Sequence, residues 1–378
     1  MKYPIGIQDF EDLQRNGYAY VDKTNFVYKL ADEGKYYFLS RPRRFGKSLF
    51  LSTLEAYFQG KKELFEGLAI YNLETEWKKY PIFHIDLNTA NFREKDSLYT
   101  VLNDYLTTWE CKYGTRESEA TLALRFKGVI ARAAEKEGCG VVILIDEYDK
   151  PILQTLRDPE LQAEHRAQLK AFYSVLKTQD RYIKFAFLTG VTKFGKVSVF
   201  SDLNNLTDIS MDHRYISICG MTEKELLTNF KEGINELASA NEDNETETID
   251  KLRMRYSGYH FEENSEEIYN PFSVLNTLAN SRYDDYWFKA NTHTFLIDIL
   301  KKHDYCITDL NKAQVKANMM NNVDSNPIPV IYQSGYLTIK SYDERFKNYQ
   351  LGFPNKEVEE GILNTLLPHG CKTAEMDC

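Results

Sequence analysis

The sequence predicts an α/β fold: a mostly parallel sheet with helices on both faces, followed after about residue 220 by a smaller helical region. Two observations carry this. Between residues 36 and 191, four apolar runs of strand length alternate with segments whose apolar residues recur at helical spacing. Such alternation builds parallel strands joined by crossover helices. Beyond residue 220 the alternation stops, and short helical segments lead to two strand-like runs around a polar turn.

The elements follow in order. "YYFLS" (36–40) reads as a buried strand and "SLFLSTLEAYF" (48–58) as a helix. "PIFHIDL" (81–87) is a second strand. Residues 97–114 and 122–138 are helical by their spacing. "GVVILIDEY" (140–148) is a third strand, apolar until its end, residues 163–179 are a helix, and "IKFAFLTGV" (183–191) is a fourth strand. Residues 222–239 read as one helix opened by Thr222 and Glu225, the pattern of a capping box. The acidic stretch 241–250 reads as a loop or a helix start. Residues 336–353 read as a β-hairpin, and short helices before a hairpin suggest a winged-helix-like module.

Bulk properties narrow the function classes. The chain has 378 residues, enough for one large domain or two to three modest ones, and its 43% hydrophobic content supports a real core. A net charge of −9 argues against broad, charge-driven nucleic-acid binding, though not against a local basic groove. The six cysteines (Cys111, Cys139, Cys219, Cys306, Cys371, Cys378) form no CxxC pair and sit beside no histidine cluster, which argues against structural zinc. The opening "MKYPIGIQDF" lacks a basic start followed by an apolar run, so no secretory signal is expected. The most apolar stretch, around Val141, falls well short of the ~20 residues of a membrane span. A soluble protein of the reducing cytoplasm is the expectation.

Two segments carry chemistry. The first is "SRPRRFGKS" (40–48), between a buried strand and an apolar helix. In a phosphate-binding loop, backbone N–H groups cradle the phosphates, a lysine reaches the β- and γ-phosphates, and a Ser hydroxyl ligates Mg²⁺. Gly46, Lys47 and Ser48 fit the end of such a loop, but Arg41 stands where the general motif has its first glycine. Gly-Lys-Ser alone is a common helix start; the flanking strand and helix make the phosphate reading the stronger one. The second is "VVILIDEYDKP", with Asp146 and Glu147 directly after an apolar run. At a strand end of such a fold, an Asp holds Mg²⁺ and a following Glu polarises the attacking water. One Asp is enough, because Mg²⁺ takes few protein carboxylates beside phosphate and water. The fourth strand ends in Thr189 and Thr192. Ligands bind at the carboxyl ends of parallel strands, so these threonines could sense a γ-phosphate; equally, their hydroxyls could satisfy backbone groups at the Gly190 turn.

Several long segments resemble one family. "GIQDFEDLQRNGYAYVDKTNFVYKL", "YFLSRPRRFGKSLFLSTLEAYF", "ILIDEYDKPI", "FLTGVTKFGKVSVFSDLNNLTDIS", "YNPFSVLNTL" and "LGFPNKEVEEGIL" resemble the predicted AAA-ATPase-like proteins, from about residue 1 to 367. The resemblance implies an AAA+-type P-loop NTPase fold related to archaeal and STAND-class ATPases, with ATP and Mg²⁺ as ligands. It implies a loop from Arg41 to Ser48, the magnesium Asp at Asp146, the catalytic Glu at Glu147 and a polar strand end at Thr189–Thr192. The family's loop itself reads RPRRFGKS, so Arg41 is a family trait. Members often carry a C-terminal PD-(D/E)XK nuclease domain; no segment for it follows "GILNTLLP", and residues 368–378 form an atypical tail.

The expected organisation is an ATPase domain at 1–220, a helical lid or connector at 221–280, a winged-helix-like region at 281–367 and the tail. The expected phosphate contacts come from Arg44, Phe45, Gly46, Lys47, Ser48 and Leu49, since Pro42 has no N–H to give. Lys47 and Glu147 are the catalytic candidates, Ser48 and Asp146 the magnesium ligands, and Thr189 and Thr192 the sensor candidates. Of the four cations Arg41, Arg43, Arg44 and Lys47, at most one arginine is expected on nucleotide. Asp149 and Lys150 read as a local ion pair or a helix start. Arg214, Arg253 and Arg255 are candidates for a lid arginine or one acting on a neighbouring subunit of a homo-oligomer. The aromatics of 256–261 and 269–272 read as packing. Residues 281–378 hold 11 basic and 13 acidic residues, so that region lacks the basic footprint of a DNA-binding module.

The resulting expectation is an ATP hydrolase that couples nucleotide binding and slow turnover to domain movement, in a mobile-element or defence-type system. Alternatives are a STAND-like nucleotide switch with little turnover, and a nucleic-acid-binding module regulated by nucleotide. ATP or ADP is the expected ligand, with a nucleic-acid or protein partner left unidentified.

Overall fold

The computed structural model describes residues 1–193, 205–290, 296, 300, 310–320 and 326–366. The tail 368–378, with Cys371 and Cys378, and Cys306 lie outside the described residues. The chain packs as two compact units. One holds Asp22–Ser40 and Ser48–Ile209; the other holds Met1–Val21, Arg41–Lys47 and the described residues from Ser210 on.

The first unit is built on an all-parallel sheet of five strands: β1 (Tyr36–Ser40), β2 (Ile82–Asp86), β3 (Val141–Asp146), β4 (Ile183–Gly190) and β5 (Thr207–Asp208). Their order is β2-β3-β4-β1-β5. Parallel strands covered on both faces read as continuous apolar runs, and every residue of β3 is buried. The crossovers carry α1 (Lys47–Phe58) from β1 to β2, α2 (Ser97–Tyr113) and α3 (Leu122–Glu137) from β2 to β3, and α4 (Lys150–Gln154) and α5 (Pro159–Thr178) from β3 to β4.

Aromatic pairs dock the helices. Phe185 and Phe187 of β4 meet Phe58 and Phe50 of α1 at ring-centroid distances of 4.9 and 5.7 Å. Phe126 of α3 stacks on Phe172 of α5 at 4.3 Å. Arg125 of α3 makes a bidentate bond to Glu110 of α2 at 2.9 and 2.7 Å. Helix α3 starts on Thr121, whose side chain accepts from Leu124 N–H, and stops at Gly138, which is left-handed. Helix α5 begins at Pro159, earlier than its apolar spacing suggests, because Asp158 caps it and Pro159 fits the first turn.

In the second unit, α6 (Glu223–Asn229), α7 (Lys231–Ala240), α8 (Glu245–Tyr256) and α9 (Pro271–Asn280) enclose a core of Leu226, Phe230, Ile234, Leu237, Leu252 and Val274. Tyr3 stacks on Phe230, so the N-terminal segment belongs to this core. The capping box of Thr222 and Glu225 forms as expected. The helix expected over 222–239 is broken, however: Phe230 leaves helical geometry (φ −125°, ψ 23°) with its side chain fully buried. The acidic stretch after Asn241 starts α8, through a second capping box of Asn244 and Glu247.

The hairpin expected at 336–353 is present as β7 (Thr338–Asp343) and β8 (Asn348–Gly352), which turn at Lys347 (φ 49°). β6 (Gln314–Lys316) adds a third antiparallel strand, in the order β6-β8-β7. Among the described residues no helix is long and apolar enough to cross a membrane.

Candidate nucleotide site

The loop after β1 is held by its own unit. Lys47 is buried, and its ammonium donates to the carbonyls of Arg41 (3.0 Å) and Pro42 (3.3 Å). Arg41 is 1% exposed. Its guanidinium donates to the carbonyls of Ser210 (2.7 Å), Tyr215 (3.2 Å) and Ile216 (3.4 Å) and lies 4.0 Å over the Phe261 ring. The Arg43 carbonyl accepts from the Trp287 indole N–H at 2.9 Å, and the Phe45 carbonyl from Gly220 N–H at 3.0 Å. The Phe45 side chain is core, edge-on to Tyr259 and Phe261, which leaves its N–H as what it can offer a ligand. Arg43 and Arg44 are exposed, and the Arg44 guanidinium lies 4.3 Å over Phe272. Among the described residues, no carbonyl or side chain accepts from the N–H groups of Arg43, Arg44, Phe45 or Gly46.

The dihedrals explain the residue types. Arg44 (φ 63°) and Gly46 (φ 97°) both have positive φ. Open space surrounds Gly46, so glycine is needed there for backbone freedom and not for room. Successive amides in such turns form an anion-binding nest. Ser48 and Leu49 follow in the first turn of α1.

In the sheet unit, register brings three strand ends together. Ser40 pairs with Gly190, and Ile145 with Leu188, which places Asp146 beside Thr189. The Thr189 hydroxyl donates to Asp146 Oδ1 at 2.5 Å, and Glu147 N–H donates to the same oxygen at 3.0 Å. Glu147 is left-handed (φ 52°), a strained state for a residue with a side chain. The kink lets Tyr148 N–H reach the Thr189 carbonyl at 3.0 Å and sends the Tyr148 hydroxyl to the Thr192 carbonyl at 2.9 Å.

Thr192 is engaged elsewhere. The buried Asp149 carboxylate accepts from Val191 N–H, from Thr192 N–H at 2.6 Å and from the Thr192 hydroxyl at 2.7 Å. Asp149 therefore fastens the turn after β4, while Lys150 donates to Asn88. Gly190 makes this possible: a Cβ there would stand 2.6 Å from the Tyr148 ring and 2.7 Å from Asp149 Oδ1.

On β2, Asp86 pairs with Asp146, and the His84 Nδ1 lies 2.7 Å from Glu55 Oε2 of α1. Burial alone would lower the His84 pKa; the Glu55 hydrogen bond and charge, with Asp146 and Asp86, outweigh it and raise it.

A model of the family described as "Predicted AAA-ATPase" matches residues 4–200. The chain belongs to this AAA-ATPase-like family. It is also 37% identical over 372 residues to an "Uncharacterized protein in vnfD 5'region" of Azotobacter chroococcum mcd 1, covering 97% of this chain and 70% of that protein.

Within this AAA-ATPase-like chain, the distal arginines are paired inside their own unit. Arg214 bonds Asp212, Arg253 bonds Glu223 and Asp250, and Arg255 bonds Asp285 and Glu360. The aromatics Tyr259, Phe261 and Phe272 pack as expected, and what they pack on is the loop itself. Asp149 stands at the start of the helix Lys150–Gln154, one of its two expected readings, but its hold on the turn after β4 was not foreseen, and Trp287 was missed altogether. For Asp149 the available signal was the DEYD run; for Trp287, 244 residues from its partner, there was none.

Proposed function

We propose that this AAA-ATPase-like protein is a Mg-ATP-binding ATPase that couples nucleotide binding and slow hydrolysis to domain movement in a mobile-element or defence-type system of the cytoplasm. The observation that carries the reading is the Thr189–Asp146 bond, at the sheet edge where Ser40 leads into the loop. A buried carboxylate oriented by a hydroxyl at the carboxyl end of a central parallel strand is what a phosphate-bound cation needs.

The roles follow from the donors present. The N–H groups from Arg44 to Ser48 and the Lys47 ammonium take the phosphates. This is a cradle shortened at its start, because Arg41 and Pro42 are used as structure. Asp146 Oδ1 already has two donors, which leaves Oδ2, with the Ser48 hydroxyl, for Mg²⁺. No cluster of three or more metal-binding side chains occurs among the described residues, and Mg²⁺ asks for none. When bound, Mg²⁺ neutralises charge on the transferring phosphoryl group. Glu147 accepts the proton of the attacking water, and Thr189 keeps Asp146 in place. The region after residue 281 is read as winged-helix-like and as serving protein contacts or domain packing.

Turnover and nucleotide affinity of wild type, Lys47→Ala and Glu147→Gln test this. Lys47→Ala is expected to lose binding, and Glu147→Gln to bind ATP without turning it over; equal ATP affinity in wild type and Lys47→Ala would sink the assignment. A STAND-like switch is the second reading. It is favoured by the packing of the loop with the C-terminal part of the chain, and co-purified ADP with negligible turnover would support it.

A further inference from the structure

The loop is gripped through its carbonyls, and this has a stereochemical consequence. In a planar trans peptide the C=O and the following N–H point in opposite directions. When the Trp287 indole N–H holds the Arg43 carbonyl at 2.9 Å, the Arg44 N–H is turned to the opposite side of the loop. Gly220 N–H does the same at Phe45, which turns the Gly46 N–H away. These are two of the amides that lack a protein acceptor among the described residues.

Trp287 is itself fixed on three sides. Its backbone N–H donates to Glu357 Oε1 at 2.7 Å, and the Ser273 hydroxyl donates to both oxygens of the same buried carboxylate. Its ring meets Tyr336 edge-on at 5.5 Å. Gly335 lets Pro42 approach: a Cβ at 335 would be 2.7 Å from Pro42 Cβ and 3.4 Å from the Trp287 ring.

We propose that Trp287 is a positioning residue of the phosphate loop: from outside the loop it aims the Arg44 amide at the terminal phosphates of a nucleoside di- or triphosphate. This rests on the nucleotide reading above. The residue touches no ligand; it acts through the Arg43–Arg44 peptide plane.

Trp287→Phe keeps a ring and removes the donor. Calorimetric titration with Mg-ADP and with inorganic pyrophosphate is expected to give about 3- to 10-fold weaker binding, the equivalent of one net hydrogen bond. The factor is the same for both ligands, because the change acts on phosphate. KM for ATP rises by that factor while kcat holds within about twofold. A merely structural role would lower the active fraction, and hence apparent kcat, and leave KM alone. The ¹H–¹⁵N indole resonances of wild type, assigned through Trp77→Phe and Trp109→Phe, supply a readout that does not depend on the Trp287 variant folding. The Trp287 indole is expected to shift on ADP addition, and an unmoved resonance overturns the proposal. If wild type binds ADP, Lys47→Ala does not, and Trp287→Phe binds like wild type, this inference fails and the nucleotide reading stands. If wild type binds no nucleotide, both fail.

Discussion

Replacing Arg41 by the glycine of the general phosphate loop should damage the protein. The guanidinium is 1% exposed, donates to three carbonyls and faces the Phe261 ring at 4.0 Å. A charged hydrogen bond such as the 2.7 Å one to Ser210 is worth about 1.5–3 kcal/mol, and a desolvated cation–π contact about 2 kcal/mol. The contacts to Tyr215 and Ile216 are longer and add less. Arg41→Gly also leaves a cavity and a freer unfolded backbone. Because these contributions are not additive, the expected loss is about 3–5 kcal/mol. At about 2–4 °C per kcal/mol this lowers the melting midpoint by roughly 6–20 °C in a circular-dichroism melt. Arg41→Lys, which keeps the charge but loses the fork and the stacking, should fall between. ADP affinity should weaken in the same order. If Arg41→Gly melted within about 2 °C of wild type, or bound ADP more tightly, Arg41 would not be what holds the loop.

Three further outcomes follow from the geometry. Thr189→Val removes the hydroxyl that orients Asp146 and should raise the half-saturating Mg²⁺ for turnover by about 10-fold or more; an unchanged Mg²⁺ titration refutes the orienting role. Gly190→Ala pushes a methyl into Tyr148 and Asp149 and should cost about 1–3 kcal/mol in urea unfolding; wild-type stability would mean that the turn relaxes freely. Glu357 is the pH case. Burial pushes its carboxyl up to about 7 from 4.5, against hydrogen bonds from Ser273 and the Trp287 backbone. The folded state therefore binds more protons than the unfolded one between about pH 4.5 and 7, and stability falls as pH rises through that window, by at most roughly 3 kcal/mol. Glu357→Gln should flatten this slope between pH 5 and 8, and an unaltered slope would assign it to another group.

Local pattern made most of the sheet legible. β1, β3 and β4 announce themselves as apolar runs, and Asp146 stands out as the first charge after one of them. Thr222 and Glu225 marked a helix start through a pattern that spans four residues. Phe230 did not announce a break, because an apolar residue at helical spacing looks the same whether its backbone is helical or not. The roles of Arg41 and Trp287 were hidden for a different reason. Both donate to backbone carbonyls, and a carbonyl acceptor leaves no trace in the identity of the residue that carries it. Asp149 was visible as an acid, and of its partners only the Thr192 hydroxyl has a side-chain identity to read, while the amides of Val191 and Thr192 are equally silent.

The contacts around residues 41–46 also bear on how this protein can be cut. The family match ends at residue 200, and a fragment stopped there would retain the loop, Asp146, Glu147 and Thr189. It would lack Ser210, Tyr215, Gly220, Phe261 and Trp287, the groups that grip the loop. Such a fragment keeps the loop sequence and the strand-end residues and loses the scaffold that gives the loop its shape. Recombination among relatives that exchanged residues 1–200 alone would separate the loop from its mould, so the two parts are expected to be inherited together.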